Sequence, residues 1–203
     1  MARPLVPLIS VDALVTAALE LVDEYGDFSL PKLARRIGVS QSSIYSHVSG
    51  REEILELMRG RTISESPSVP VDELSWADGL RAVVRNYRDA FARHPRLAPL
   101  MVLQTVQNLD VIAMYEDMAL LLERAGFTGP DVVAAISMVD SFALGAALDL
   151  AAPEVVWAPP STGFPALSRA LGYAGPPTQR GEDAFNFGLE TLIAGLRSRL
   201  AGD

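Results

Sequence analysis

From Val11 to Tyr25 the apolar residues fall at Val11, Leu14, Val15, Ala18, Leu19, Val22 and Tyr25. Steps of three and four place them on one face of an amphipathic helix. The same period returns along most of the chain, and no segment alternates apolar and polar between turn signals, so the fold class expected is all-α. Ser10 is a suitable N-cap for this first helix and Gly26 a suitable stop.

A second, short helix is expected over Leu30 to Ile37. Ser29 is its cap, and Pro31 is tolerated because first-turn amides have no partner inside the helix. Gly38 ends it, and a third helix follows over Gln41 to His47. The Ser49-x-x-Glu52 spacing reads as a capping box opening a fourth helix. Pro67, Pro70 and the polar stretch around them mark a boundary. The division expected is a unit over 1–50, a connecting helix over 51–66 and a larger helical unit over 67–203.

In the larger unit, Ser75-x-x-Asp78 caps a fifth helix that stops near His94-Pro95. An apolar helix is expected over 96–107 and another over 110–125, ended by Gly126. Thr128-x-x-Asp131 opens a long helix to about Ala152, apolar nearly all round and so expected to be buried on more than one side. Residues 153–180 hold six prolines and three glycines and read as a long connection with at most a short helix around Ala166 to Leu171. A last helix is expected over 182–200.

Composition narrows the chemistry. The 203 residues include no cysteine, which removes disulfides, thiol nucleophiles and cysteine metal sites together. With only His47 and His94, one chain cannot build a multi-histidine metal site, so no metal is expected. No stretch of about 18 apolar residues is uninterrupted, and the N-terminus is too short and too broken by Pro4 and Pro7 for a signal peptide. The expectation is a cytoplasmic protein. Phosphate-loop, dinucleotide, nucleophile-elbow and zinc-protease spacings are missing, so neither an enzyme nor a cofactor is expected. His94 reads as a helix-terminal histidine rather than a base.

The net charge of −8 is unevenly spread. Residues 28–61 carry six basic and three acidic groups, a local +3 on a chain otherwise at −11. Within that island, Ala34, Gly38 and Ile44 have helix-turn-helix spacing: a small residue for close approach, a glycine for the turn and an apolar residue for the angle between helices. The outer side of the third helix then offers small hydrogen-bonding groups suited to base edges and phosphates.

The stretch FSLPKLARRIGVSQSSIYSHVSGREEILELM, Phe28 to Met58, resembles the N-terminal domain of the tetracycline-repressor (TetR) family. Leu30, Leu33, Ala34, Gly38, Val39, Ser40, Ile44, Tyr45, His47, Val48, Arg51, Ile54 and Leu55 fall in register with its pattern. Residues 120–148 and 184–200 resemble parts of that family's C-terminal domain. The resemblance implies a homodimeric regulator, most simply a repressor, released from a palindromic operator by a small molecule. It implies base reading by Gln41, Ser42 and Ser43, and phosphate contacts by Ser29, Tyr45, His47 and Arg51. Arg35 is a further phosphate candidate. No arginine or lysine lies between Gln41 and Gly50, so a bidentate arginine–guanine contact cannot come from the third helix.

The resemblance further implies a dimer through about 129–152 and 182–200. There Ala143, Gly145, Ala146, Ala147, Gly188 and Gly195 would allow close packing. It implies an effector pocket, with candidates Tyr87, Phe91, Met101, Gln104, Gln107, Asn108, Tyr115, Met118, Phe142 and Trp157. Two alternatives stay open: a DNA-binding regulator without a small-molecule pocket, and a helical carrier whose N-terminal unit has lost DNA binding.

Overall fold

The computed structural model describes residues 9–202, so the N-terminal prolines used in judging a signal peptide lie outside the described residues. Ten α-helices are found there, with no strand: α1 (Val11–Tyr25), α2 (Leu30–Ile37), α3 (Gln41–Ile44), α4 (Arg51–Ser64), α5 (Trp76–Ala90), α6 (Ala98–Met101), α7 (Leu109–Ala125), α8 (Pro130–Asp149), α9 (Pro165–Leu171) and α10 (Pro177–Gly202).

Helix α1 starts where its sequence says. Ser10 Oγ accepts from the Ala13 amide at 3.1 Å, and Gly26 closes the helix at φ 77°. Its buried side carries Leu14, Ala18 and Val22. Helices α1 to α3 and the start of α4 form a head around Leu14, Leu33, Ile44, Ile54 and Leu55, all fully buried. Helix α4 leaves the head and packs on α5, α6 and α7 of a larger body. The buried residues of head and body belong to one continuous core.

In the body, α5, α7 and α8 pack on one another and α10 lies across α5 and α8. Phe142 of α8 stacks on Phe185 of α10 at 5.5 Å between ring centres. Gly188 permits this approach, since a Cβ there would collide with the Phe142 ring. Arg88, nearly fully buried, sits 4.6 Å from the Phe185 ring centre and donates to Glu182 at 2.8 Å.

Several local expectations are corrected. Helix α3 is shorter than expected and ends at Ile44, with Tyr45 to His47 in a turn. The Ser49–Glu52 box does not form. Gly50 is the cap residue, and Glu53 takes the Ser49 amide and hydroxyl at 2.6 and 2.7 Å. Thr128 does not cap α8 through its side chain, because Gly129, at φ 50°, starts the helix one residue later. The expected helix over 96–107 shrinks to one turn before and one turn of α6, followed by non-helical chain from 102 to 108. Helix α8 is buried on one stripe only; Val133, Met138 and Leu148 on its other side are exposed. Helix α8 is also long and apolar enough to cross a membrane by length and composition alone, which the sequence reading missed; its inner stripe packs into the body core.

Candidate nucleic-acid interface and body cavity

Gly38 adopts φ 74°, and the turn it makes sets α3 against α2 with Leu33, Ala34 and Ile44 buried between them. That anchoring turns the rest of α3, and the turn that follows it, outward. Gln41, Ser42, Tyr45, Ser46 and His47 are all exposed, and Tyr45 keeps about half of its surface open at 52%. Ser43 is half-buried. The serine hydroxyls are not idle: Ser40 Oγ lies 2.8 Å from Ser42 Oγ and 2.7 Å from Ser43 Oγ, and Ser40 accepts the Ser43 amide. Ser40, Ser42 and Ser43 thus form a three-hydroxyl cluster at the start of α3. Ser29 stands at the cap position of α2 but makes no side-chain cap bond there.

The basic island is largely committed inside the protein. Arg36 bonds Glu24 and Glu20, Arg61 pairs with Asp12, and Arg59 lies against Glu56. Arg51, expected to hold a phosphate, donates to Asp27 Oδ1 at 2.7 Å and lies 5.1 Å from the Phe28 ring centre. Burial raises the Asp27 pKa, but the Arg51 bond and the Phe28 amide outweigh it and hold the carboxyl below its ordinary value. Among the described residues, Lys32 and Arg35 are the head cations of the island outside any ion pair, with Lys32 over the Tyr25 ring.

The ten body positions expected to form one pocket do not converge. Met101 and Met118 are core residues, and Phe91 packs edge-on against Tyr87 at 5.6 Å. Phe142 is taken up by Phe185. Asn108 caps α7, accepting from the Asp110 and Val111 amides. Gln104 and Gln107 border a cleft facing Glu52, Glu53 and Glu56 of α4. Trp157 is half-exposed at the far end of the body, with Arg180 over its ring at 5.5 Å.

Tyr87 and Tyr115 do meet. Both donate to Asp140 Oδ1, at 3.1 and 2.5 Å, tying α5 and α7 to the middle of α8. Burial foremost, and then the neighbouring charge, pushes both phenols well above the ordinary tyrosine range, so both stay protonated donors. In the sequence Asp140 is simply the acidic residue that follows the largely apolar run Val132 to Val139. Tyr87 also lines a half-open cavity of about 320 Å³ between the end of α4, the 66–69 connection, α5 and α7. Asp110 and Asp117 of α7 border it, as does Asn86, which donates to the Pro67 carbonyl at 2.8 Å. Reading by apolar period missed these polar residues, because period marks a face without telling which neighbour that face meets.

A half-exposed, polar turn carried by a buried helix-turn-helix angle, continued by one helix into an all-α body, defines the class of helical transcription regulators with an N-terminal helix-turn-helix. A family model described as tetracyclin repressor-like, C-terminal domain, matches residues 69–200. The chain is 30% identical over 198 residues to tetracycline repressor protein class D of Escherichia coli, covering 93% of this chain and 89% of that protein. It is 30% identical over 145 residues to the HTH-type transcriptional repressor DrrR1 of Streptomyces coeruleorubidus, covering 70% of this chain and 53% of that one. The chain therefore spans about half the length of this second relative. Among solved structures it resembles apo ActR from Streptomyces coelicolor, with a TM-score of 0.78 at 24% identity, covering 100% of this chain and 99% of that one. The chain belongs to the tetracycline-repressor family.

Proposed function

We propose that this chain is a homodimeric, cytoplasmic repressor that holds a palindromic operator through its head and is released by a small molecule bound in the body. The observation that carries the reading is the exposed α3 surface, set by the Gly38 turn and joined through α4 to a body cavity at that helix's far end. Residues 1–50 form the DNA-binding unit, 51–66 the connecting helix and 67–203 the effector and dimerisation unit. Gln41, Ser42 and Ser43 read bases; Ser29, Arg35, Tyr45 and His47 hold backbone. Arg51 joins them once a phosphate displaces Asp27. The effector site is the Tyr87 cavity, and a ligand there releases DNA to the extent that it prefers the released conformation.

Dimerisation uses the outer faces of α8 and α10. Val133, Met138 and Leu148 on α8 and Phe187 on α10 are exposed apolar residues, and Phe187 is 77% open. A Cβ on Gly145 or Gly195 would meet nothing within 4 Å, so both face open space that admits a second copy, whereas Ala143 and Ala147 are buried in the body and Gly188 serves Phe142. Two recognition helices about 34–36 Å apart then meet successive turns of one duplex face.

The test is binding of purified protein to a labelled duplex from upstream of its own coding region, followed by selection from random duplexes. A palindromic sequence enriched by the wild type and lost on Tyr45→Phe combined with Arg51→Ala supports the reading. No enriched sequence overturns it.

A further inference from the structure

Helix α4 carries an acid and a base one turn apart, Glu56 and Arg59, and both reach out of their own helix into the break between α6 and α7. Glu56 Oε2 accepts the backbone amides of Gln107 and Asn108 at 2.9 and 3.2 Å, so a carboxylate sits at the N-terminus of α7. Arg59 Nη2 donates to the carbonyls of Met101 and Gln104 at 3.0 and 3.4 Å, so a guanidinium sits at the end of α6. Each charge meets the helix end that its sign favours. The two side chains also face each other, with Nε 3.1 Å from Oε1 but without hydrogen-bond geometry. Arg59 is 3% exposed. A buried guanidinium is costly unless its donors are met, so α4 cannot slide or tilt here without stranding a charge or finding new carbonyls. Gly60 completes the joint, since a Cβ at that position would collide with the Asn108 amide that caps α7.

This joint is also close to the body's polar centre. The Arg59 charge acts on the Tyr115 phenol, which shares Asp140 with Tyr87, a wall of the cavity.

We propose that Arg59, with Glu56, is the positioning residue that fixes α4 against the body and so sets the placement of the recognition turn; the inference rests on the regulator reading only for its DNA readout. Arg59 acts through α4: it is buried, with its donors on the Met101 and Gln104 carbonyls, and offers almost no surface to a duplex.

The absence of native cysteine allows a direct test. Spin labels on Ala13→Cys in the head and Glu123→Cys in the body, both exposed positions, report the head-to-body distance in protein diluted with unlabelled chains. The background with Arg59 intact gives one narrow distribution. Arg59→Met is expected to broaden or displace it, and Glu56→Gln to do so to a smaller degree, with helicity retained. Arg59→Lys keeps the charge without the fork and serves if the methionine variant does not fold. An unchanged distribution in the folded variants overturns the inference, whatever the protein does with DNA. On a selected operator, Arg59→Met is expected to lose about tenfold or more in affinity, with random-sequence binding and its salt dependence unchanged. Equal loss on both duplexes assigns Arg59 to phosphate contact and also overturns the inference. If the wild type selects no duplex, the regulator reading fails while the distance measurement still decides this one.

Discussion

At the scale of single residues, four of the six cations of the basic island are paired within the protein. Arg51 is the clearest case, since Asp27 competes for the same guanidinium that a phosphate would take. Asp27→Asn should free it. Binding to random duplex is expected to strengthen by a few fold, with a steeper salt dependence, as measured by fluorescence anisotropy across a salt series. The pair is exposed, so the stability lost should stay below about 1 kcal/mol. The Asp27 pKa is depressed in the folded protein. Its contribution is therefore present above the unfolded carboxyl value of about 4 and is lost as pH falls through the lower folded value. Asp117 has the opposite sign: burial first, then Asp72 and Glu116, raise its pKa. Its ionised form costs stability at neutral pH and costs nothing once both states are protonated. Asp117→Asn should raise Tm by about one or two degrees at pH 7, and the gain should vanish in acid.

At the scale of elements, what could be read from sequence was what neighbouring residues decide among themselves. Ser10, Ser75, Gly26, Gly38 and Gly126 do what their chemistry says, because a cap or a left-handed stop needs only a few adjacent backbone groups. The helix-turn-helix face was legible for the same reason. The end of α6 was not. Its last carbonyls are taken by Arg59, some forty residues earlier in the chain, and no local pattern around Met101 announces that. The boxes at Ser49 and Thr128 failed because a glycine immediately after each one became the true helix start. The cavity stayed hidden because its walls come from four separate segments. Packing between elements supplies the matching prediction. Gly188→Ala brings a Cβ into the Phe142 ring, so it should destabilise by about 1–3 kcal/mol despite alanine's better helix propensity. Thermal unfolding followed by circular dichroism would read this as a Tm lower by several degrees.

At the scale of the whole molecule, the proposed dimer face on α8 and α10 predicts that assembly can be lost without unfolding. Phe187 is exposed and makes no part of the buried core. Phe187→Arg should therefore leave helicity and Tm of the monomer intact while converting a dimer to single chains in sedimentation velocity. Operator affinity would fall with it, because one head reads only half a palindrome. If the variant sediments as the wild type does, the α8–α10 face is not where copies meet.

The internal pairing of Arg36, Arg51, Arg59 and Arg61 also bears on how such a protein finds its target among other DNA. A chromosome offers about a million or more decoy sites. A head with few uncommitted cations should gain little from any of them, so unsuitable encounters are expected to be brief. On the proposed reading, a small number of molecules would then suffice to keep one operator occupied.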